Sequence, residues 1–270
     1  MTTTAVEPAT AAAEKLLLRA DQNGITTLTL NRPRQYNALS EELLTELQGA
    51  LDAIAPDAAV RVVVIGGNGP AFCAGHDLKQ MRATPGKAYY DKLFAQCGRM
   101  MLTLARMPQP VIARVHGIAT AAGCQLVAQC DLAVASTNAR FAVSGINVGL
   151  FCATPSVPLG RNLNRKQAME MLLTGDFIDA AGARERGLVN SVVAAENLES
   201  AVNDLARKII GKSAVAVSTG KRMFYQQLEM GLENAYQYAA ETMACNMMAE
   251  DAAEGIDAFM HKRAPVWKGR

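Results

Sequence analysis

Runs of almost entirely apolar residues in the first half of the chain constrain the fold more than any other feature. They are Val60–Ile65, Val111–Val115 and Leu132–Ala135, and the first two lead through glycine-containing loops into helical patterns. A strand without alternating polar residues is typically buried on both faces, as in parallel sheets covered by crossover helices. The sequence therefore predicts an α/β fold whose ligands bind at the loops that follow the strand ends.

The elements before these runs follow from local signals. Leu16–Ala20 and Ile25–Leu30 flank Asn23-Gly24, which supplies the positive φ angles of a tight turn and predicts a β-hairpin. Ser40 is the expected N-cap of the first helix. Its helical spacing of apolar residues predicts a buried face formed by Leu43, Leu44, Leu47, Leu51 and Ile54.

The pattern divides the chain into three parts. Residues 1–13 are rich in Thr and Ala and are expected to form a disordered tail. Residues 14–196 carry the strand, loop and helix units of a core domain. Residues 197–270 are almost entirely helical and are expected to form an oligomerisation subdomain. Its large apolar residues favour a helix-packing surface over a ligand groove; they are Met223, Phe224, Met230, Tyr236, Tyr238, Met243, Met247 and Met248.

Composition excludes several classes of function. The 27 basic and 25 acidic residues leave a net charge of +2, which indicates no nucleic-acid partner. No apolar run approaches the roughly 18 residues that span a bilayer. Residues 1–13 lack the basic and apolar regions of a signal peptide, and six cysteines without a C-x-x-C pair predict buried reduced thiols. We therefore expect a reducing compartment and a cytoplasmic location.

Two loops carry the candidate chemistry. Ala74-Gly75-His76 follows a predicted buried strand, and Ala121-Ala122-Gly123 opens a predicted helix. Glycine lets the first backbone turn, and the first N–H groups of a helix have no intrahelical acceptor. The backbone N–H groups of His76 and Ala122 could together form an oxyanion hole. Tight packing between strand and helix is the alternative explanation of both loops.

Ordered motifs along almost the whole chain resemble the crotonase (enoyl-CoA hydratase/isomerase) superfamily, and the segment 141–190 resembles the branch of hydratase domain-containing proteins. The motifs are Asn31-Arg32-Pro33, Asn37-Ala38-Leu39, Phe72 to Leu78, His116-Gly117, Gly123 to Leu126, Cys130 to Ala133, Ala168 to Gly175 and Gly187-Leu188-Val189.

The resemblance implies a spiral of ββα units with a helical C-terminal trimerisation region, assembled as a homotrimer or as a hexamer of two trimers. It implies an acyl-CoA substrate held by the His76 and Ala122 N–H groups, with no metal and no further cofactor. It also implies a set of coenzyme A contacts, which are Arg32, Ala74, Asp77, Leu78, Lys79 and, from a neighbouring subunit, Lys268.

The chain departs from the hydratase pattern at both acid/base positions. No Glu occurs between Glu46 and Glu170, and the residues that match the two hydratase glutamates are Gln125 and Gly145. Neither can move a proton between water and an α-carbon, so the sequence does not predict ordinary hydration. Gly145 is expected to leave room for an external base such as bicarbonate.

Other side chains are candidates for the missing acid and base: Gln125 itself, Asp77, Ser144 and Asn147. Asp77 could instead cap a helix, and Asp131 is expected to be structural. His76 could titrate near neutrality. A hydrogen-bonded structural role competes evenly for His76 and is favoured for His116. Cys152 is a weak candidate nucleophile, because a buried thiol keeps a high pKa.

Two hypotheses follow. The first is an acyl-CoA enzyme that stabilises a thioester enolate with altered hydratase or isomerase chemistry. The second is a non-catalytic acyl-CoA binding or scaffold protein of the same fold. If the two donor loops are intact and correctly aligned, Gln125→Glu combined with Gly145→Glu should confer hydration of crotonyl-CoA.

Overall fold

The structure, a computed structural model, describes residues 15–270. The predicted disordered tail, residues 1–13, lies outside this range. Within the described range, no helix combines the length and hydropathy needed to cross a membrane.

Ten strands and eleven α-helices make up the described part of the chain. The strands are β1 (Leu17–Gln22), β2 (Ile25–Leu30), β3 (Val62–Gly67), β4 (Ala71–Cys73), β5 (Val111–Val115), β6 (Ile118–Thr120), β7 (Leu132–Ser136), β8 (Arg140–Ala142), β9 (Ile178–Asp179) and β10 (Ser191–Val193). The helices are α1 (Glu41–Ile54), α2 (Leu78–Ala83), α3 (Lys87–Arg106), α4 (Ala122–Gln129), α5 (Ala153–Asn162), α6 (Arg165–Thr174), α7 (Ala180–Glu185), α8 (Leu198–Ile210), α9 (Ala214–Gln227), α10 (Leu232–Met247) and α11 (Glu250–Met260).

The strands form two sheets that the chain visits alternately. One sheet has the order β1-β2-β3-β5-β7-β10, and the other has the order β4-β6-β8-β9. The chain passes from β3 to β4, crosses through helices to β5 and β6, and crosses again through α4 to β7 and β8. The pairs β3–β5, β5–β7, β4–β6 and β6–β8 are parallel. This is the predicted spiral of ββα units.

Local signals in the sequence are confirmed at the start of the chain. β1 and β2 pair antiparallel, with Asn23 and Gly24 at φ angles of 51° and 78°. The Ser40 side chain accepts a hydrogen bond from the N–H of Leu43, as an N-cap should. The five apolar residues predicted on the inner face of α1 are all fully buried.

Helix α8 packs on the core, whereas the three helices after it bury little. Val202 and Ala206 of α8 lie against Val62 and Val64 of β3 in a second apolar cluster. The predicted boundary at 196 and 197 therefore precedes a helix that belongs to the core packing. No residue of α9 is buried, and only Ala235 of α10 is. Large apolar side chains of the predicted packing surface stay exposed on these helices, among them Phe224, Tyr236, Met243 and Met248.

An ion pair whose side chains are largely covered fastens α9 to the core. Lys221 Nζ lies 2.7 Å from Asp131 Oδ2 and also donates to the backbone oxygens of Leu104 and Gln109. Asp131 accepts two further hydrogen bonds, from the Val111 N–H and from the Tyr225 hydroxyl. Because Lys221 Nζ and the Asp131 carboxylate each have three partners, the cost of burying the charges is offset. The structural role expected for Asp131 is confirmed.

The cysteines are free thiols, and five of the six are buried. Cys245 on α10 is exposed, contrary to the prediction of buried thiols. Its helix buries only one residue in the described chain, so an apolar sequence context did not lead to burial there.

Candidate functional site

The first loop is clamped on both sides of His76. Leu39 N donates to Gly75 O at 2.7 Å, and Asp77 N donates to Leu39 O at 3.3 Å. Gly75 has a φ of +94°, a conformation that side-chain-bearing residues rarely adopt. The His76 N–H between these two bonds donates to no atom of residues 15–270.

The second loop is strained where α4 begins. Ala121 has φ 50° and ψ −121°, a combination that favours glycine, and its N–H donates to Ala142 O at 3.0 Å. The next residue, Ala122, is the first of α4, so its N–H has no intrahelical acceptor. It also has no partner elsewhere in the described chain. The strained peptide therefore leaves a free donor at the positive end of a helix dipole.

The two loops touch each other. A Cβ added to Gly75 would lie 2.9 Å from Ala121 Cβ and 3.2 Å from Ala122 N. A Cβ on Gly123 would lie 2.0 Å from Cys73 O, so α4 approaches β4 too closely for any side chain. Glycine at both positions brings the two unpartnered donors onto adjoining backbone segments, as an oxyanion hole requires.

Gln125 lies one turn along α4 from the second donor. Its N–H donates to Ala121 O, and its side chain is 4% exposed. Helical side chains lean toward the N-terminus, which directs this one back over the start of α4. Its Oε1 is buried and has no hydrogen-bond partner in residues 15–270. An unpartnered buried acceptor is costly, which favours a ligand or water at this point.

His76 is partly buried, and its two ring nitrogens are buried and unpartnered as well. Neither ring nitrogen has a partner among the described residues, and the ring packs edge-on against Phe94 at 5.5 Å between centroids. Burial lowers the pKa of His76 to about 4. The expectation that His76 titrates near neutrality is therefore wrong, because burial favours the neutral imidazole.

Asp77 caps a helix, as the alternative reading of this residue expected. Its Oδ1 accepts from the N–H groups of Lys79 and Gln80 at the start of α2. Its Oδ2 lies 2.9 Å from Arg32 Nη2. Burial raises the pKa of Asp77, but the hydrogen bonds from Arg32 and the helix amides outweigh that effect and lower it. A carboxylate held in this way is a poor general base, and Arg32 already has an internal partner.

The remaining predicted coenzyme A contacts are divided between two places. Leu78 and Lys79 are exposed on the first turn of α2, beside the first loop, and Ala74 is partly buried in that loop. Lys268 lies elsewhere, with Nζ 3.1 Å from Glu250 and its N–H donating to Asp251. Within one chain the structure brings the first three near His76, and it gives Lys268 contacts only at α11.

The backbone is closed at position 145. A Cβ added to Gly145 would lie 2.7 Å from Cys152 Sγ and 2.8 Å from Leu150 O. Leu150 N donates to Gly145 O at 2.9 Å, so the chain folds back on itself there. The expectation that Gly145 leaves room for an external base is wrong, because Cys152 and Leu150 fill the space beside it. Cys152 donates to Val143 O, and burial raises the pKa of its thiol.

Of the two remaining substitutes, one lies beside the second loop. Ser144 Oγ is 2.7 Å from Thr120 Oγ1, and Thr120 immediately precedes the strained Ala121. Asn147 instead contacts Gly175 at the end of α6, with Nδ2 3.5 Å from the carbonyl oxygen. Thr120 was missed in the sequence. A hydroxyl directly before the second loop was the available signal, but only the fold pairs it with Ser144.

His116 is structural, as favoured from the sequence. Its Nε2 lies 2.8 Å from Gly69 O, and its carbonyl accepts from Ser136.

Two clefts of about 270 and 490 Å³ lie away from both loops. The larger lies among α9, α10 and α11, with Met243, Phe259 and Trp267 in its wall. Residues 15–270 contain no cluster of three or more His, Cys, Asp or Glu side chains placed to hold a metal.

Comparison with known proteins agrees with the motifs. The model of the enoyl-CoA hydratase/isomerase family matches residues 20–270. The Xenopus laevis enoyl-CoA hydratase domain-containing protein 3, mitochondrial, is 46% identical, with 93% of this chain and 86% of that protein covered. The crystal structure of an enoyl-CoA hydratase from Mycobacterium smegmatis has a TM-score of 0.93 and 58% identity, over 94% and 99% of the two chains. The human enoyl-CoA hydratase domain-containing protein 3 structure has a TM-score of 0.91 and 43% identity, over 94% and 100%.

These relatives confirm one expectation and overturn another. The predicted resemblance of the segment 141–190 to the branch that contains domain-containing protein 3 is confirmed by the relatives found. The cytoplasmic location is wrong by the same comparison, since five vertebrate relatives at 42–46% identity are all named mitochondrial. Free thiols report a reducing environment and do not distinguish one reducing compartment from another.

Proposed function

Because the chain belongs to the enoyl-CoA hydratase/isomerase family, we propose that it binds acyl-CoA thioesters and stabilises their enolate form in acyl-CoA metabolism. The thioester oxygen accepts from the N–H groups of His76 and Ala122. Negative charge that develops on this oxygen is stabilised by both donors and by the α4 dipole.

The observation that carries this proposal is the contact between the two loops. Two backbone donors without partners in the described chain lie on adjoining segments, and Gly75 and Gly123 permit the approach. A buried N–H without a partner is rare in proteins. The two unpaired donors here, one on buried Ala122 and one on partly buried His76, are accounted for by a ligand oxygen that accepts from both.

Ordinary water addition is not the reaction we propose. Gln125 has no proton to exchange at neutral pH, and position 145 is closed to a side chain. The chemistry is therefore lyase-like or isomerase-like with an altered proton path. Some relatives carry hydration in their names. One is the Escherichia coli 2,3-dehydroadipyl-CoA hydratase, which is 35% identical over 94% of this chain and 99% of that protein.

A non-catalytic acyl-CoA binding protein is the second candidate. The observation that favours it is the neutral character of the loops, where His76 is uncharged and Asp77 is committed to Arg32. A binder would hold the thioester without turning it over. Turnover of any acyl-CoA, followed by mass spectrometry, distinguishes the two candidates.

We also propose that α9, α10 and α11 pack against other copies of the chain as a homotrimer or hexamer. Their exposed apolar side chains need a partner, since large contiguous apolar surfaces are uncommon on monomers. Light scattering of the purified protein measures the assembly. A monomer at micromolar concentration would contradict this assignment.

Thermal unfolding with and without butyryl-CoA tests the binding. At 100 times Kd a ligand adds about 2.7 kcal/mol to the free energy of unfolding, which raises Tm by roughly 5–10 °C for a chain of this size. The matched control ligand is S-butyl-CoA, a thioether without the carbonyl oxygen. We expect it to bind about tenfold more weakly, since two hydrogen bonds are lost.

Lysine variants localise the coenzyme A. Lys79→Gln removes a positive charge beside the first loop and should weaken butyryl-CoA binding several-fold in low salt. Lys87→Gln removes an equally exposed charge that already pairs with Asp91, and it should change little. Absence of any Tm shift with butyryl-CoA would reject the enzyme and the binding protein alike.

A further inference from the structure

The loops of the site offer donors for an oxyanion but no free carboxylate that can act as a base. The segment 47–169, which supplies both loops, contains no glutamate and five aspartates. Asp77 is held by Arg32 and α2, and Asp131 by Lys221. The other three lie at surface helix or turn positions and are Asp52, Asp57 and Asp91.

The missing base limits how an enolate can form, and this inference rests on the proposed function. Removal of an α-proton requires a base, and addition of water to a β-carbon also requires one. Heterolysis of a bond from the α-carbon to a carboxylate requires none, because the electron pair of that bond itself becomes the enolate. An oxyanion hole without a free carboxylate beside it favours the third route.

We infer that the substrate class is a 2-carboxyacyl-CoA thioester, of malonyl type, and that the reaction is decarboxylation. The bond between the α-carbon and the carboxylate breaks, and CO₂ leaves. The electron pair passes into the enolate, whose oxygen is held by the His76 and Ala122 N–H groups. Water then donates a proton to the α-carbon, and the hydroxide that remains combines with CO₂ as bicarbonate.

Gln125 and the His76 ring supply neutral contacts for the departing carboxylate. Both carry buried polar atoms without a partner in residues 15–270. If the terminal amide of Gln125 rotates by half a turn about its last side-chain bond, it presents its NH₂ group as a donor. A neutral imidazole carries one N–H donor. These groups orient the carboxylate but leave it poorly solvated, and the loss of its charge as CO₂ relieves that cost.

A glutamate at position 125 would work against this reaction. Its negative charge would face the substrate carboxylate in a buried site, where like charges repel strongly. Gln125, which cannot support hydration, therefore favours decarboxylation, because its carboxamide binds the substrate carboxylate that a glutamate would repel.

The test incubates the purified protein with malonyl-CoA and methylmalonyl-CoA in D₂O. We expect release of CO₂ and incorporation of one deuterium at the α-carbon per turnover. Gln125→Glu should lower kcat/KM by roughly 100-fold, and Gln125→Leu by roughly tenfold. Both variants should bind butyryl-CoA nearly as tightly as the parent, because that ligand has no carboxylate. The matched control Gln237→Leu alters an exposed glutamine on α10 and should retain the parent rate.

Three results would overturn the inference. Binding of butyryl-CoA without any CO₂ release from the 2-carboxyacyl thioesters would do so while leaving the proposed function intact. Exchange of the α-protons of butyryl-CoA with D₂O, at a rate that matches turnover, would reveal a base. Failure of every CoA ester to bind would remove the proposed function as well. Circular dichroism of each variant shows whether a lost rate reflects a lost fold.

Discussion

By the family resemblance, positions 125 and 145 are those where the hydratase pattern carries glutamate, and they lack a carboxylate in different physical ways. At position 125 the change is confined to a side chain, since the helix, its strained start and the inward direction of the residue remain. At position 145 the backbone has closed, with Cys152 Sγ and Leu150 O within 3 Å of where a Cβ would be. A single substitution can restore a carboxylate at position 125, whereas a carboxylate at position 145 requires a different loop conformation.

This difference changes what a restoration experiment can show. The double variant Gln125→Glu, Gly145→Glu can restore hydration only if position 145 accepts a side chain. It does not, because Cys152 and Leu150 occupy the space beside Gly145. We expect no hydration of crotonyl-CoA by the double variant. That result would leave both candidate functions in place, because it follows from the turn and not from the oxyanion donors.

The largest expected effect comes from Gly145→Glu. The new side chain must displace Cys152 and the Leu150 carbonyl, and it buries a carboxylate, so we expect a loss of about 4 kcal/mol in the free energy of unfolding. Urea denaturation measures it. Gly160→Glu is the matched control, since nothing lies within 4 Å of a Cβ there. Equal stability of the two variants would show that the turn opens freely.

The next largest effect on stability is expected when low pH protonates His76. The pKa of His76 is lowered from 6.5 to about 4, so between these values the unfolded chain binds a proton that the folded chain does not. Stability contributed by the neutral ring is full above pH 6.5 and falls as pH drops toward 4, by about 3 kcal/mol at most. His76→Gln should remove this part of the slope in urea titrations at each pH. If the free energy of unfolding depends on pH in the same way in His76→Gln and in the parent, the ring is exposed to water and not buried.

Coupling between residues 145 and 152 should be smaller. Gly145→Ala brings a methyl group against Cys152 Sγ and Leu150 O, and should cost about 2 kcal/mol. Cys152→Ala in the same chain removes the thiol and should recover about 1 kcal/mol, with the Leu150 contact left in place. A double-mutant cycle measures this coupling. Strict additivity would mean that the thiol does not restrict position 145.

The smallest effect is expected at position 125. Gln125→Met removes an unpartnered buried acceptor and keeps the shape, so stability should stay level or rise by up to about 1 kcal/mol. Gln109→Met is the matched control, because that buried amide donates to Ile54 O at 3.0 Å, and it should lose about 1–2 kcal/mol. A clear loss at Gln125 would indicate an internal partner that the amide finds in solution.

Most of the fold was predictable because its signals are local. The turn at Asn23-Gly24, the cap at Ser40 and the buried face of α1 each depend on a few neighbouring residues, and all three are confirmed. The apolar runs predicted the parallel strands because burial on both faces leaves no alternation. The helices of the last third were also found, since their spacing does not depend on what covers them.

Parts of the site could not be read from the sequence. Asp77 differs from a free acid partly through Arg32, which lies 45 positions away along the chain. The low pKa of His76 comes from burial, and nothing in the residues around it signals that burial. Gly145 suggested empty space because a missing side chain is visible in a sequence, whereas the return of the chain at Leu150 and Cys152 is not.

The sequence by itself determined the strands β1, β2, β3, β5 and β7, the helices α1, α3 and α4 and those of the last third, because periodicity and capping are properties of neighbouring residues. Through its resemblance to the family it also determined the spiral and the two donor loops. The tertiary structure alone decided that the two loops touch, that Gln125 Oε1 and the His76 ring are buried without partners, and that position 145 is shut. Those outcomes depend on distances between residues far apart in the chain, and only the packing of the strands and helices sets such distances.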